Sequence, residues 1–317
     1  MNRQHILNCS FSSWYANFVE HTIESEVIKL PQSFVNYLLE DGIYLPLSKD
    51  EIAEQNIQDV GSSKVRPSFP DLQAKVERAI NQLGGEVFPK LNWSAPRDAS
   101  WIACGNSLKC HTFNDIILLL KSSNFISHDL TEPFTLCDET EQAGQVQYEL
   151  VLRRWTEIPP SMEFRVFVGN QEVIAISQRD CSSFFPCVPP LVDDITYEIN
   201  NFHDRYVAGL FKEQHYVLDV FRKDKAEFLI VDFNPFNEVT DSSLFTWTEL
   251  YRMRDGDEEC DLRCIKEEAG VQPSPYLAYS MPSDFLDLRS GTDANKLVDF
   301  LKMEVQRQDD SVDDDER

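Results

Sequence analysis

Residues 216–240, YVLDVFRKDKAEFLIVDFNPFNEVT, constrain the fold more than any other stretch of this chain. Two runs rich in β-branched and aromatic residues, Tyr216 to Arg222 and Glu227 to Phe233, flank a polar break at Lys223-Asp224-Lys225. That pattern predicts a β-hairpin. Asp219 falls inside the first run, Asp232 near the end of the second, and Asn234 two residues on. Strand side chains alternate, so Asp232 and Asn234 share a face. With Asp224-Lys225 as the loop, Lys223 pairs with Ala226 and Asp219 lies opposite Ile230, a diagonal neighbour of Asp232 on that same face. Moving the loop by one residue keeps the faces matched, whereas a three-residue loop does not. Two carboxylates and an amide oxygen are hard ligands that suit Mg²⁺, which takes one or two protein carboxylates and completes its shell with phosphate oxygens. The competing reading makes Asp219 and Asp232 ion-paired structural acids, as buried acids usually are.

The 317 residues suffice for two domains or one large one, and 42% hydrophobic residues suffice for a core. A formal net charge of -25 gives no sequence-wide electrostatic reason to bind nucleic acid. A basic protein partner, or solubility, accounts for it better. The first residues, MNRQHILNCSFSSWY, have no long apolar core, so no signal peptide is expected, and no run approaches the length of a membrane span. The eight cysteines form no Cys-x-x-Cys pair, which predicts reduced thiols in a cytoplasmic protein. The six histidines fall into no metal or triad pattern.

Phe11, Trp14, Tyr15 and Phe18 form an aromatic cluster that reads either as core or as a partner-binding patch. A helix is predicted from Pro31 to Glu40, closed by Gly42, then a long polar loop over 46–69. Leu72, Val76, Ala79, Ile80 and Leu83 make the stripe of an amphipathic helix from Asp71 to Leu83. A short strand, Glu86 to Leu91, delivers Lys90 beside Ser94, Ala95, Pro96 and Arg97. A lysine ending a strand beside a small-residue loop can hold nucleotide phosphates, although this loop is no Walker sequence and lacks the glycines of a nest. Thr112 caps a helix to Lys121, with Asp115 three residues on and Lys109 before it. A polar loop covers 137–147, and Gln147 to Trp155 is a strand containing Glu149. Glu163 to Ser177 is a hairpin about Gly169-Asn170, a pair suited to a type II′ turn. Arg165 lies inside its first strand and Arg179 follows its second; an unbroken register puts them on opposite faces, so a shared role needs a twist or bulge near Ser177. A helix from Asp194 to Gln214 follows, and Thr246 with Glu249 makes a capping box for another after the late hairpin. The chain ends in an acidic tail, QRQDDSVDDDER.

In chain order, groups for phosphates come first and metal ligands last, as for a nucleotide held between two β-rich lobes. A protein kinase uses similar parts, but no Gly-x-Gly-x-x-Gly precedes Lys90, and QRD at Gln178 to Asp180 is followed by CSSFF without the downstream Asn.

At PKLNWSAPRDA, ELVLRRW, EFRVFV, ISQRD and VDFNPFNEVTDSSLFTW the sequence resembles the cell division cycle protein 123 family over most of residues 1–250, with fungal members as the suggested source. The resemblance implies an α+β, ATP-grasp-like fold of two β-rich lobes. They would be an N-terminal lobe over 1–148, a C-terminal lobe over 149–255 and an acidic extension over 256–317. It implies ATP and Mg²⁺ as cofactors and the gamma subunit of eukaryotic translation initiation factor two as partner. The activity implied is assembly of that factor by a cytoplasmic monomer, with no nucleic acid or membrane bound. By position, Lys90, Ser94, Ala95, Pro96, Arg97 and Arg165 resemble the phosphate-side residues. Glu149, Leu150, Val151 and Leu152 resemble the adenine-side strand, with Val151 backbone groups reading the ring edge. Asp219, Asp232 and Asn234 resemble the metal ligands, and Lys109, Arg153 and Arg179 are further ATP contacts. The alternative is an ATP-grasp ligase that forms an acylphosphate on a carboxylate substrate; no catalytic nucleophile or general base is apparent. The gamma-subunit surface is expected on the N-terminal lobe, at the Phe11 to Phe18 aromatics.

Overall fold

The computed structural model describes residues 1–43, 45–46, 67–103, 106–137, 146–256 and 260–273. Contacts group Met1–Ser274 as one unit and Pro275–Arg317 as another, and the second lies outside the described residues. So do the acidic tail and most of the expected loops at 46–69 and 137–147.

Two sheets frame the described chain. Strands β1 (Ser25–Lys29), β2 (Val87–Lys90) and β3 (Glu149–Arg154) form a three-stranded antiparallel sheet in the order β1-β3-β2. Strands β4 (Glu163–Gly169), β5 (Glu172–Gln178), β6 (Tyr216–Asp224), β7 (Glu227–Pro235) and β8 (Asp261–Arg263) form a five-stranded sheet in the order β7-β6-β4-β5-β8, with β8 parallel to β5. Since β3 pairs with β1 and β2, the change of sheet comes after Arg154 rather than at 148/149. Neither β1 nor β8 was expected: each is only three to five residues long, and pairing across the fold defines it.

Helices α3 (Gln32–Leu39), α4 (Pro70–Gln82), α5 (Phe113–Lys121) and α6 (Asn124–Thr131) cover one face of the first sheet. Leu72, Val76, Ala79 and Ile80 of α4 are buried there, as their spacing predicts. The Thr112 hydroxyl accepts from the Asp115 N–H at 3.1 Å, and Asp115 accepts back from the Thr112 N–H at 2.9 Å, completing the expected capping box. Leu150 and Leu152 point into this core, so alternation turns Glu149, Val151 and Arg153 to the other face, where Val151 joins the second core.

That second core fills one face of the five-stranded sheet with α2 (Phe11–Tyr15) and α7 (Val192–Tyr206). Helix α7 stops at Tyr206, short of the expected Gln214, because the Val207 and Ala208 N–H groups both turn back to the His203 carbonyl and Gly209 adopts φ 75°. On the opposite face, α8 (Trp247–Asp255) packs Leu250 and Met253 against Phe167 and Val217. Its expected capping box is present, with Glu249 accepting from the Thr246 N–H at 2.8 Å.

The early hairpin turns at Asn170-Gln171, not Gly169-Asn170, since Gly169 pairs with Glu172. Both turn residues have positive φ, 53° and 66°, the type I′ pattern rather than the expected type II′. Tertiary bonds hold it: the Asn170 N–H donates to His215 Nδ1 at 3.0 Å, the Gln171 N–H to the Gln214 carbonyl at 2.9 Å, and the Gln171 amide to the Glu213 carbonyl.

The aromatic cluster is core. Phe11, Trp14 and Phe18 are at most 1% exposed, and Trp14 and Phe18 meet Phe233 of β7 with centroids 5.1 and 5.2 Å away. The partner-patch reading of these side chains is therefore withdrawn. Trp14→Ala is expected to cost about 3–5 kcal/mol of folding stability, as large-to-small core substitutions do. Chemical denaturation followed by circular dichroism measures it, and a loss below ~1 kcal/mol would contradict the packing.

Candidate functional site

The late hairpin brings its acids together by a route other than the expected register. Its loop is Lys225-Ala226, with Asp224 opposite Glu227 and φ 57° at Ala226. The ladder then slips twice, between Arg222 and Asp224 and between Asp219 and Val220. As a result Asp219 lies directly across from Asp232, not from Ile230, and Val217 lies across from Asn234. The three oxygen-bearing side chains thus fall on one face of the sheet. The Asn234 amide donates to Asp219 Oδ2 at 3.3 Å.

Arg165 and Arg179 share that face. Arg165 pairs with Ser177, and the Arg179 N–H donates to the Glu163 carbonyl at 3.0 Å, so both arginines follow one parity. The bulge that makes this possible lies at the Phe167/Val168 step, earlier than the expected position near Ser177. Arg165 makes a two-armed contact with Asp219, Nε to Oδ1 at 2.8 Å and NH2 to Oδ2 at 2.7 Å. Its NH1 donates to the Asp241 carbonyl at 2.6 Å. Arg179 sits 3.8 Å from Asp219 Oδ2, an ion-pair distance too long for a hydrogen bond, and 3.3 Å from Asp241 Oδ2. Burial alone would raise the Asp219 carboxyl, but the adjacent Arg165 guanidinium, helped by Arg179, holds it down at about 2.

The first sheet contributes Lys90. Its alkyl chain is buried, and its ammonium donates to Asp232 Oδ2 at 2.5 Å. Burial lowers the Lys90 pKa, opposed by the Asp232 charge. The Phe11 ring lies beneath, 5.5 Å from Lys90 Nζ. The segment after β2 is anchored from outside the sheet. The Ser94 N–H and hydroxyl both donate to Asp129 of α6, at 2.8 and 2.9 Å. Burial pushes the Asp129 carboxyl up to about 6 despite those two bonds. The Arg97 N–H donates to the Ala95 carbonyl at 2.8 Å, Pro96 precedes the short helix Arg97–Ile102, and Arg97 reaches Glu163 at 3.5 Å.

The remaining expected residues stand apart from this group or act differently within it. Lys109 bonds Glu86 at 3.1 Å and lies 5.1 Å from the Trp155 ring, beyond the Val87 end of β2. Val151 lies between Val27 on β1 and Lys90 on β2, so both edges of its strand are occupied. Its backbone therefore has no free edge for a purine, and that expectation is corrected. Leu150 is in the first core. The Glu149 backbone N–H donates to Asn92 Oδ1 at 2.9 Å, and its buried side-chain Oε2 has no hydrogen-bond partner. Arg153 bonds backbone carbonyls of β7. Asp129 and Asp241 were missed because each comes from a segment with no periodic signal, and Glu163 because it was read only as the first residue of the early hairpin.

The donor set fits a phosphorylated ligand with a divalent cation. Buried Glu149 Oε2 has no hydrogen-bond partner, and Glu163 Oε1 and Arg179 Nε have only long ion-pair contacts, at 3.5 Å to Arg97 and 3.8 Å to Asp219. Among the described residues no group of three or more His, Cys, Asp or Glu is placed to hold a metal. Two carboxylates and an amide oxygen are the kind of donor set that suits an ion sharing its shell with a ligand. The ion pairs of Lys90 and Arg165 also match the structural-acid reading of Asp219 and Asp232.

Residues 14–289 match the family D123. The chain belongs to that family. A relative from Xenopus laevis, named translation initiation factor eIF2 assembly protein, is 41% identical over 99% of this chain and 100% of its own length. Cell division cycle protein 123 of Candida glabrata is 39% identical, over 82% of this chain and 80% of its own. The Xenopus laevis relative thus matches more of the chain than the Candida glabrata one does. The solved structure of Cdc123 from Schizosaccharomyces pombe is 33% identical and superposes with a TM-score of 0.71, covering 83% of this chain and 97% of that one. The family and the α+β fold expected from the sequence are both borne out. No described helix is long and apolar enough to cross a membrane.

Proposed function

We propose that this protein is an assembly chaperone for eukaryotic translation initiation factor two. It binds the gamma subunit of that factor and promotes its joining to the other subunits, acting as a cytoplasmic monomer. The names of its relatives support the client. One observation supports the nucleotide: Lys90 of the first sheet meets Asp232 of the second, beside the Arg165–Asp219 pair. This is an ATP-grasp-like arrangement, in which ATP sits between the sheets.

In this reading Lys90, Arg97, Arg165 and Arg179 orient the phosphates. Ser94, Ala95 and Pro96 shape the loop over them, and Glu149 lies on the base side. Asp219, Asp232 and Asn234 hold Mg²⁺, which screens the phosphate charge when bound. Until then Lys90 and Arg165 neutralise the two carboxylates that an ion would otherwise share. ATP thereby sets the shape of the client-binding surface.

The test is a pull-down of the three purified factor subunits on the full-length protein, with Mg-ATP and with EDTA. The gamma subunit is expected to be retained, and its joining to the other subunits to require Mg-ATP. Retention of no subunit, or equal joining in EDTA, contradicts the proposal.

A further inference from the structure

Whether Asp219 and Asp232 share a face is decided at one residue of β7. Val220 lies across from Ile230 and Asp219 across from Asp232, so Val231 has no counterpart on β6. Had the ladder run on unbroken from Val220, Asp219 would meet Val231 and Asp232 would meet Leu218. Leu218 is fully buried in the apolar core, so that register would aim the Asp232 carboxylate among core side chains. The bulge prevents this.

A bulge on an edge strand takes carbonyls out of the regular ladder, and on this side β7 meets the chain at an isolated parallel bridge between Thr22 and Ile230. Two side chains bond those carbonyls. The Thr22 hydroxyl donates to the Ile230 carbonyl at 2.7 Å. Arg153 NH1 donates to the Val231 carbonyl at 2.5 Å, while NH2 reaches Thr22 Oγ1 at 3.1 Å and the Ile230 carbonyl at 3.4 Å. The guanidinium is buried, lies 5.4 Å from the Phe11 ring centroid, and spans from β3 of the first sheet to β7 of the second.

We propose that Arg153, with Thr22, is a positioning residue: it clamps the Val231 bulge and so places Asp232 beside Asp219 on the ligand face. This replaces the direct ATP contact that resemblance implied for Arg153, and it rests on the nucleotide reading above. Burial lowers the Arg153 pKa to about 10, which leaves it cationic at neutral pH. A cation bonded to buried carbonyl dipoles is a stronger clamp than a neutral donor.

The test titrates full-length wild type, Arg153→Met and Thr22→Val with ATP by calorimetry, once in MgCl₂ and once in EDTA. Backbone hydrogen exchange across β7 is measured without ligand. In Arg153→Met, the gain in ATP affinity that Mg²⁺ provides is expected to fall about tenfold or more, with affinity in EDTA kept within about threefold. Thr22→Val should shift the same way by less and covers the case in which Arg153→Met does not fold. Exchange at Val231 to Asn234 should accelerate in both. Equal loss in MgCl₂ and EDTA would make Arg153 a direct ATP contact and overturn the proposal. So would an unchanged Mg²⁺ gain or unchanged exchange in Thr22→Val. If wild type binds no ATP, the nucleotide reading fails, and exchange at β7 still decides whether Arg153 and Thr22 hold the bulge.

Discussion

Asp219→Ala is expected to lower folding stability by about 3–5 kcal/mol, the range found when one partner of a buried ion pair is removed. The loss comes from what is left behind. Asp219 is 4% exposed, and its removal strands Arg165, 3% exposed, with only a carbonyl for its charge. Arg179 keeps Asp241 but loses Asp219 as well. A decrease of that size is a large share of the roughly 5–15 kcal/mol that holds a typical domain folded. Arg165→Met combined with Asp219→Leu should recover most of it, since apolar replacement of a buried pair is often close to neutral. The double variant should still bind no Mg-ATP, which separates folding from ligand binding. Urea denaturation of the three proteins reads out the first part, and a single-variant loss under ~1 kcal/mol would mean the pair is not buried as described. The sign with pH follows from the Asp219 pKa of about 2, below the ordinary carboxylate value. Its stabilising contribution is fully present above about pH 4 and is lost as pH falls toward 2. Acid denaturation of wild type should therefore contain a component in that window that the Arg165→Met, Asp219→Leu protein lacks.

Asp232→Ala is expected to weaken Mg-ATP binding severely and, with it, to stop joining of the factor subunits. Lys90 is 2% exposed, and its ammonium pairs with Asp232. Without that carboxylate a buried ammonium whose pKa burial already lowers has lost the charge that opposes the shift. The Lys90 pKa is then expected to fall further, since burial acts without the opposing carboxylate. Affinity for ATP in MgCl₂ should drop by about a hundredfold, the upper range for disrupting a metal's surroundings. Asp232→Asn should keep the fold and lose less in EDTA than in MgCl₂. Steady-state phosphate release should be low before and after the substitution. Turnover by the wild type with an added carboxylate acceptor would favour a ligase instead. Normal subunit joining by Asp232→Ala would show that the nucleotide is unnecessary for the main function.

The late hairpin was legible because its strands carry a strong local signal, and the parity of Asp232 and Asn234 follows from alternation alone. Its register was not, because two slips depend on contacts far away in sequence. Val231 bulges where Arg153 reaches its carbonyl and Thr22 reaches that of Ile230, from 78 and 208 residues away in the chain. The same holds for Arg179, whose face is set by a bulge earlier in its hairpin. The turn at Asn170-Gln171 escaped because Gln171 is an unusual type I′ residue, held at positive φ by bonds to the 209–214 segment. Lys90 was visible as a strand-ending lysine, whereas the Asp129 anchor of Ser94 comes from α6 with no local mark. Aromatic residues near the N-terminus look alike as core or as interface; burial against Phe233 decides between them.

The central claim is that Asp219, Asp232 and Asn234 hold a divalent ion that ties a nucleotide's phosphates to Lys90. Crystals grown with ATP and Mn²⁺, and diffraction data collected at the manganese absorption edge, test it directly. The account predicts one strong anomalous peak within coordination distance of Asp219, Asp232 and Asn234, with Lys90 turned from Asp232 to a phosphate oxygen. A peak elsewhere, or ATP bound with both ion pairs of Asp219 and Asp232 intact and no manganese between them, would contradict it.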